Sequence, residues 1–87
     1  MPRSLHSEDY RKLTVVLFEA RKSSGLTQQQ VADRLGRPQS FIAKVEGGER
    51  RIDLVEFVAL SRAIGADPRT LLDLLLGMMA GAKKSKR

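Results

Sequence analysis

Apolar residues recur every three or four positions along most of the chain, and no alternating run long enough for a β-strand interrupts them. The pattern predicts an all-α fold divided by four breaks. Ser7 stands as an N-cap before Glu8 and Asp9, whose charges suit the positive end of a helix dipole. The first helix then runs to about Lys22 with Tyr10, Leu13, Leu17 and Ala20 on one face, and "SSG" ends it. Thr27 caps a second helix with inward Val31, Ala32 and Leu35, and Gly36 supplies the left-handed residue that closes it. Pro38 lacks an amide hydrogen, so it cannot continue that helix but can open a third, reaching Glu46. After "GGERR", Asp53 caps a fourth helix with inward Leu54, Phe57, Val58, Leu60, Ala63 and Ile64, closed by Gly65. Asp67 and Pro68 open a fifth by the same logic, ending near Met79.

Helices this short are marginal alone and need a shared core. Small Ala32, Gly36 at the bend, and Ile42 with Val45 beyond it permit the second and third to cross closely and steeply, as a helix-turn-helix. The segments "GLTQQQVADRLG", "QSFIAKVEGGERR" and "LVEFVALSRAIGADP" resemble the DNA-binding domains of the Cro and phage-repressor type, the xenobiotic response element family. The resemblance spans about residues 8–76. It implies a compact five-helix bundle, a lambda-repressor-like DNA-binding domain at residues 7–79. A flexible arm at 1–6 and a basic disordered tail at 80–87 are expected to flank it.

Composition narrows the function. The 87 residues form one domain with one modest core, too little chain for the usual walled active-site cleft, and a binding module is expected rather than an enzyme. No nucleophile with a neighbouring base is visible. The net charge of +6 favours polyanions, but four of the sixteen basic residues lie in the terminal "KKSKR". The absence of cysteine removes disulfides and thiol chemistry, and His6 is the sole histidine; no cofactor, metal or small-molecule ligand is expected. No segment is long and apolar enough for a bilayer and the N-terminus lacks an export signal, so no membrane partner is expected and the cytoplasm is the expected location.

The third helix is the candidate reader of the major groove. With Ile42 and Val45 inward, Gln39, Ser40, Ala43 and Lys44 turn outward. Gln pairs with adenine, Lys reaches guanine and Ser meets either, so Gln39, Ser40 and Lys44 are the candidate base contacts. Gln28 follows the Thr27 cap, where exposed amides welcome a phosphate. The resemblance further implies that Gln28 touches the DNA backbone and braces Gln39, and that Arg21 pairs with Glu46 to lock the third helix in place. Arg37, Arg50 and Arg51 flank that helix as candidate phosphate contacts. Phe41 either meets a thymine methyl or folds back over the turn at 35–38, with packing the favoured reading.

The fifth helix carries Leu71, Leu72, Leu74, Leu75, Leu76, Met78 and Met79 over an arc of about 200°. Leu71, Leu75 and Met78 are expected to close the core, leaving Leu72, Leu76 and Met79 as a second stripe for a homodimer interface. These features predict a sequence-specific transcription regulator, a repressor, bound to a pseudo-palindromic operator in double-stranded DNA. The alternative is a protein-interaction adaptor, such as an antitoxin, whose last helix holds an unidentified protein partner.

Overall fold

Side-chain caps set where the helices begin. In the computed structural model, which describes the backbone of residues 7–84 and the side chains of residues 7–80, the order is α1 (Glu8–Ser23), α2 (Gln28–Leu35), α3 (Gln39–Glu46), α4 (Leu54–Ile64) and α5 (Pro68–Lys84). The expected arm at 1–6 lies outside the described residues, as do 85–87. Ser7 Oγ accepts from the Tyr10 amide at 3.0 Å. Thr27 and Gln30 form a reciprocal capping box at the head of α2, and Asp53 and Glu56 form another at the head of α4.

The core gathers on the inner faces of α1 to α4, where Leu17, Val31, Ala32, Ile42 and Val45 are essentially sealed, and Leu71 closes it from α5. The Leu, Ile and Val side chains among them each contribute about 1.5–3 kcal/mol of transfer free energy. Two hydroxyl side chains are buried as well, without an unmet bond. Thr14 Oγ1 donates to the Arg11 carbonyl at 2.7 Å, and Ser61 Oγ donates to the Phe57 carbonyl at 2.8 Å. Both bonds stay within one helical turn, so each hydroxyl enters the core already satisfied.

The structure corrects three expectations. Leu54 is 71% exposed rather than inward, because it lies in the first turn of α4, beyond the edge of the packed face, with Val55 beside it. Met78 is 38% exposed and does not close the core; Leu71 does, with Leu75 partly buried against it. Finally, α5 does not stop at Met79 but continues to Lys84, so residues 80–84 of the expected tail are helical. Ala80 and Ala82 favour helix, and Gly81 between them costs only about 1 kcal/mol, too little to end it.

Candidate nucleic-acid interface

The bend between α2 and α3 determines what α3 presents. Gly36 takes φ +71°, a left-handed conformation that a side chain would strain, and its amide bonds back to the Asp33 carbonyl at 3.2 Å. Pro38 then holds extended backbone as the N-cap of α3. Phe41, Ile42 and Val45 consequently face the core, while Gln39, Ser40 and Lys44 are exposed and Ala43 is half-buried. The side chains of Ser40 and Lys44 make no hydrogen bond or ion pair to the described residues, leaving their donors open.

Gln39 is held by a chain of four side chains that begins in the core. Arg21, 7% exposed, donates Nε to Glu46 Oε2 at 2.6 Å and Nη2 to Oε1 at 3.0 Å, while Nη1 donates to the Leu26 carbonyl at 2.8 Å. The Glu46 hydrogen bond, against the opposing effect of burial, holds the guanidinium pKa above its usual range. Gln28 Nε2 donates to Glu46 Oε1 at 2.9 Å, and Gln28 Oε1 accepts from Gln39 Nε2 at 2.6 Å. The order of donors follows from charge. A carboxylate can only accept, so Gln28 must turn its NH2 toward Glu46, which turns its oxygen toward Gln39. Gln39 must then answer with its own NH2. Its Oε1 and second N–H remain outside, the acceptor and donor that complement adenine N6 and N7.

A second cluster lies beside α3. Phe41, 9% exposed, packs in the core, and the Arg37 and Arg50 guanidinium carbons sit 4.2 and 5.0 Å from its ring centroid. Of the two readings of Phe41, packing is the one realised, and its outer face has become a platform for cations. Glu56 lies against both arginines: Oε2 accepts from Arg50 Nη2 at 2.9 Å and from Arg37 Nη2 at 3.5 Å, and Oε1 is 3.4 Å from Arg50 Nη1. Arg50 also donates to the Arg51 carbonyl. Arg51 stacks over Tyr10, with its guanidinium carbon 4.3 Å from the ring centroid. The Tyr10 hydroxyl donates to the Arg50 carbonyl at 3.3 Å and accepts from the Ile52 amide at 3.1 Å, pinning the α3–α4 loop to α1.

Comparison with known proteins bears on this geometry. A helix-turn-helix domain family model matches residues 13–75. A solved XRE-family like protein from Pseudomonas syringae pv. tomato is 47% identical, with 87% of this chain and 93% of that one covered at a TM-score of 0.79. The chain belongs to the XRE family of helix-turn-helix transcription regulators. The restriction-modification controller protein C.AhdI from Aeromonas hydrophila is 34% identical over 75% of this chain and 98% of its own, with a TM-score of 0.68. The C.Esp1396I controller, solved as a tetramer with its natural 35 base-pair operator, shares the fold at a TM-score of 0.76 and 17% identity, over 82% of this chain and 93% of its own. No curated protein matches the chain significantly.

Away from the helix-turn-helix, this XRE-family chain exposes apolar side chains on α5 and α1. Leu72, Leu76 and Met79 are 42%, 53% and 39% exposed, in line with a second stripe on α5, whereas Leu74, 54% exposed, lies on another face of the helix beside Val15 of α1. Val15 and Phe18 of α1 are exposed as well. Among the described residues, no cluster of potential metal ligands occurs and no helix is long and apolar enough to cross a membrane.

Sequence reasoning brought Arg21 to Glu46 and Gln28 to Gln39 as two separate pairs; the structure joins them through the Gln28–Glu46 bond. It overlooked Glu56, and it gave Tyr10 an inward position without the hydroxyl bonds that pin the α3–α4 loop. The Asp53-x-x-Glu56 spacing announces a capping box, which accounts for one Glu56 oxygen, but nothing local announces that its carboxylate also meets Arg37 and Arg50.

Proposed function

We propose that this protein is a sequence-specific repressor that binds a pseudo-palindromic operator as a homodimer, α3 lying in the major groove. One observation carries the reading: the Arg21–Glu46–Gln28–Gln39 chain fixes the orientation of an exposed glutamine amide at the head of α3. A solvated bundle helix has no need of that order. A helix that reads bases does, because one disordered amide cannot discriminate donors from acceptors. In this reading Gln39, Ser40 and Lys44 contact base edges. The half-buried Gln28 is engaged through its side chain, so it meets a phosphate through its backbone amide at the α2 N-terminus, while Arg37, Arg50 and Arg51 contact phosphates along the flank. Leu72, Leu76 and Met79 pair with a second copy, which sets two α3 helices about 34 Å apart, one turn of DNA. Binding rather than catalysis is the activity, it takes place on cytoplasmic DNA, and an operator so covered excludes polymerase. The 34% identity to a restriction-modification controller protein supports a role in gene control.

Selection of bound sequences from random duplex DNA tests the reading. A two-fold symmetric consensus is expected; no enrichment at low salt overturns it. The exposed leucines of α5 favour one other reading, an adaptor holding a different protein. A purified chain that stays monomeric and enriches no DNA, together with capture of a defined second protein through α5, would favour the adaptor.

A further inference from the structure

Glu56 is placed where a phosphate would be expected. Its carboxylate meets Arg50 at 2.9 Å and Arg37 at 3.5 Å, two of the cations assigned to the DNA backbone, and both are stacked on the one Phe41 ring. The side chains of Arg37 and Arg50 are 42% and 40% exposed, whereas that of Glu56 is 22% exposed, so the cations stand outermost with the anion behind them. The remaining neighbour of Glu56 is Asp53, which offers a backbone amide to Oε1 at 3.0 Å and takes the Glu56 amide on its own Oδ1 at 2.7 Å. The carboxylate is therefore fixed from the α4 side by the cap, and the two guanidinium groups are the parts free to be drawn away.

We propose that Glu56 is an internal stand-in for a DNA phosphate: it holds Arg37 and Arg50 in place on Phe41 in the free protein and competes with the duplex for them. The inference rests on the DNA-binding reading above. Glu56 acts as a positioning residue that trims sequence-independent affinity. Each phosphate approaching Arg50 or Arg37 must weaken an existing ion pair and draw near a fixed carboxylate. Contacts made by Gln39, Ser40 and Lys44 bear no such penalty, so the device lowers binding to DNA of any sequence while leaving base discrimination to α3.

The substitution Glu56→Gln separates this role from capping, because glutamine serves equally as the distal partner of a capping box. The readout is fluorescence anisotropy with a short mixed-sequence duplex across a salt series, alongside thermal melting. Half-exposed ion pairs of this kind correspond to a tightening of about two- to fivefold. The plot of log affinity against log salt should steepen by up to about 0.9, one more phosphate neutralised. Glu49→Gln removes a charge from the adjoining α3–α4 loop without an ion pair to this cluster and should give a smaller gain. In an Arg37→Gln, Arg50→Gln background the gain from Glu56→Gln should vanish. An equal gain from Glu49→Gln, or a gain that survives loss of both arginines, overturns the proposal in favour of general charge repulsion. If wild type binds duplex DNA and Glu56→Gln changes neither affinity nor slope, this inference alone fails; if wild type binds no duplex even at low salt, the DNA-binding reading fails with it.

Discussion

Replacing Glu46 with alanine strands Arg21. Both side chains are 9% exposed, the pair is bidentate, and the same carboxylate receives Gln28. Removing one member of a buried pair leaves the other charge uncompensated, at a cost of about 3–5 kcal/mol. Arg21 keeps its bond to the Leu26 carbonyl, which places the expected loss at the lower end of that range. About 3 kcal/mol is a large share of the stability of so small a domain, and it corresponds to a fall in melting temperature of roughly 12–24 °C. Two measurements distinguish a stranded charge from a lost contact. Calorimetric or circular-dichroism melting should show the drop, and replacing both partners with apolar residues of similar volume, Arg21→Met with Glu46→Leu, should recover much of it. Duplex binding should not recover in that double variant, since Gln28 has lost the anion that orients it. An alanine variant that melts within about 1 kcal/mol of wild type and binds DNA equally would refute the reasoning, because the pair would then be an ordinary surface contact.

Three further outcomes are expected. Tyr10→Phe removes the hydroxyl that receives the Ile52 amide and reaches the Arg50 carbonyl, costing about 1–2 kcal/mol in denaturant unfolding and loosening the α3–α4 loop. The Asp53 backbone amide, and after it the Arg50 guanidinium, hold the Glu56 carboxyl below its ordinary value of 4.5, so its contribution is complete above that value and lost as pH falls through the lower folded-state value. The difference in melting temperature between wild type and Glu56→Gln, measured from neutral to acid pH, should therefore shrink only below pH 4.5; a difference that grows there would reverse the sign of the linkage. Leu72→Glu places a charge in the exposed α5 stripe and should give a monomer by sedimentation, against the dimer expected of wild type; a wild type already monomeric at micromolar concentration removes the dimer.

Where the determinants of structure are local, the sequence displays them. Ser7, Thr27 and Asp53 as caps, Gly36 and Gly65 as left-handed terminators, and Pro38 as a helix opener each act within a few residues of themselves, and all six take the expected role. Periodicity likewise gives the faces of α3, because Ile42 and Val45 leave no choice about which way Gln39 and Lys44 point. Periodicity fails at ends and edges. Leu54 has the phase of an inward residue but overhangs the bundle, and Met78 lies on a helix with more apolar arc than one core can cover. The site divides in the same way. The exposed polar residues of α3 are legible as residue types on one face, whereas the meeting of Glu56 with Arg37 and Arg50 depends on how the α3–α4 loop returns to α4, a matter of tertiary geometry. The continuation of α5 to Lys84 reflects the lack of any stop signal rather than a positive one.

In the proposed reading α3 presents a preset polar face to the major groove. Titrating isotope-labelled protein with duplex DNA and following its amide resonances tests it most directly, since Gln28 and Gln39 carry side-chain NH2 signals of their own. These two signals and the backbone amides of α3 and the α3–α4 loop should move together, with the middle of α5 unmoved. Perturbation confined to α1 and α5, with Gln28, Gln39 and Lys44 silent at saturating DNA, would contradict it.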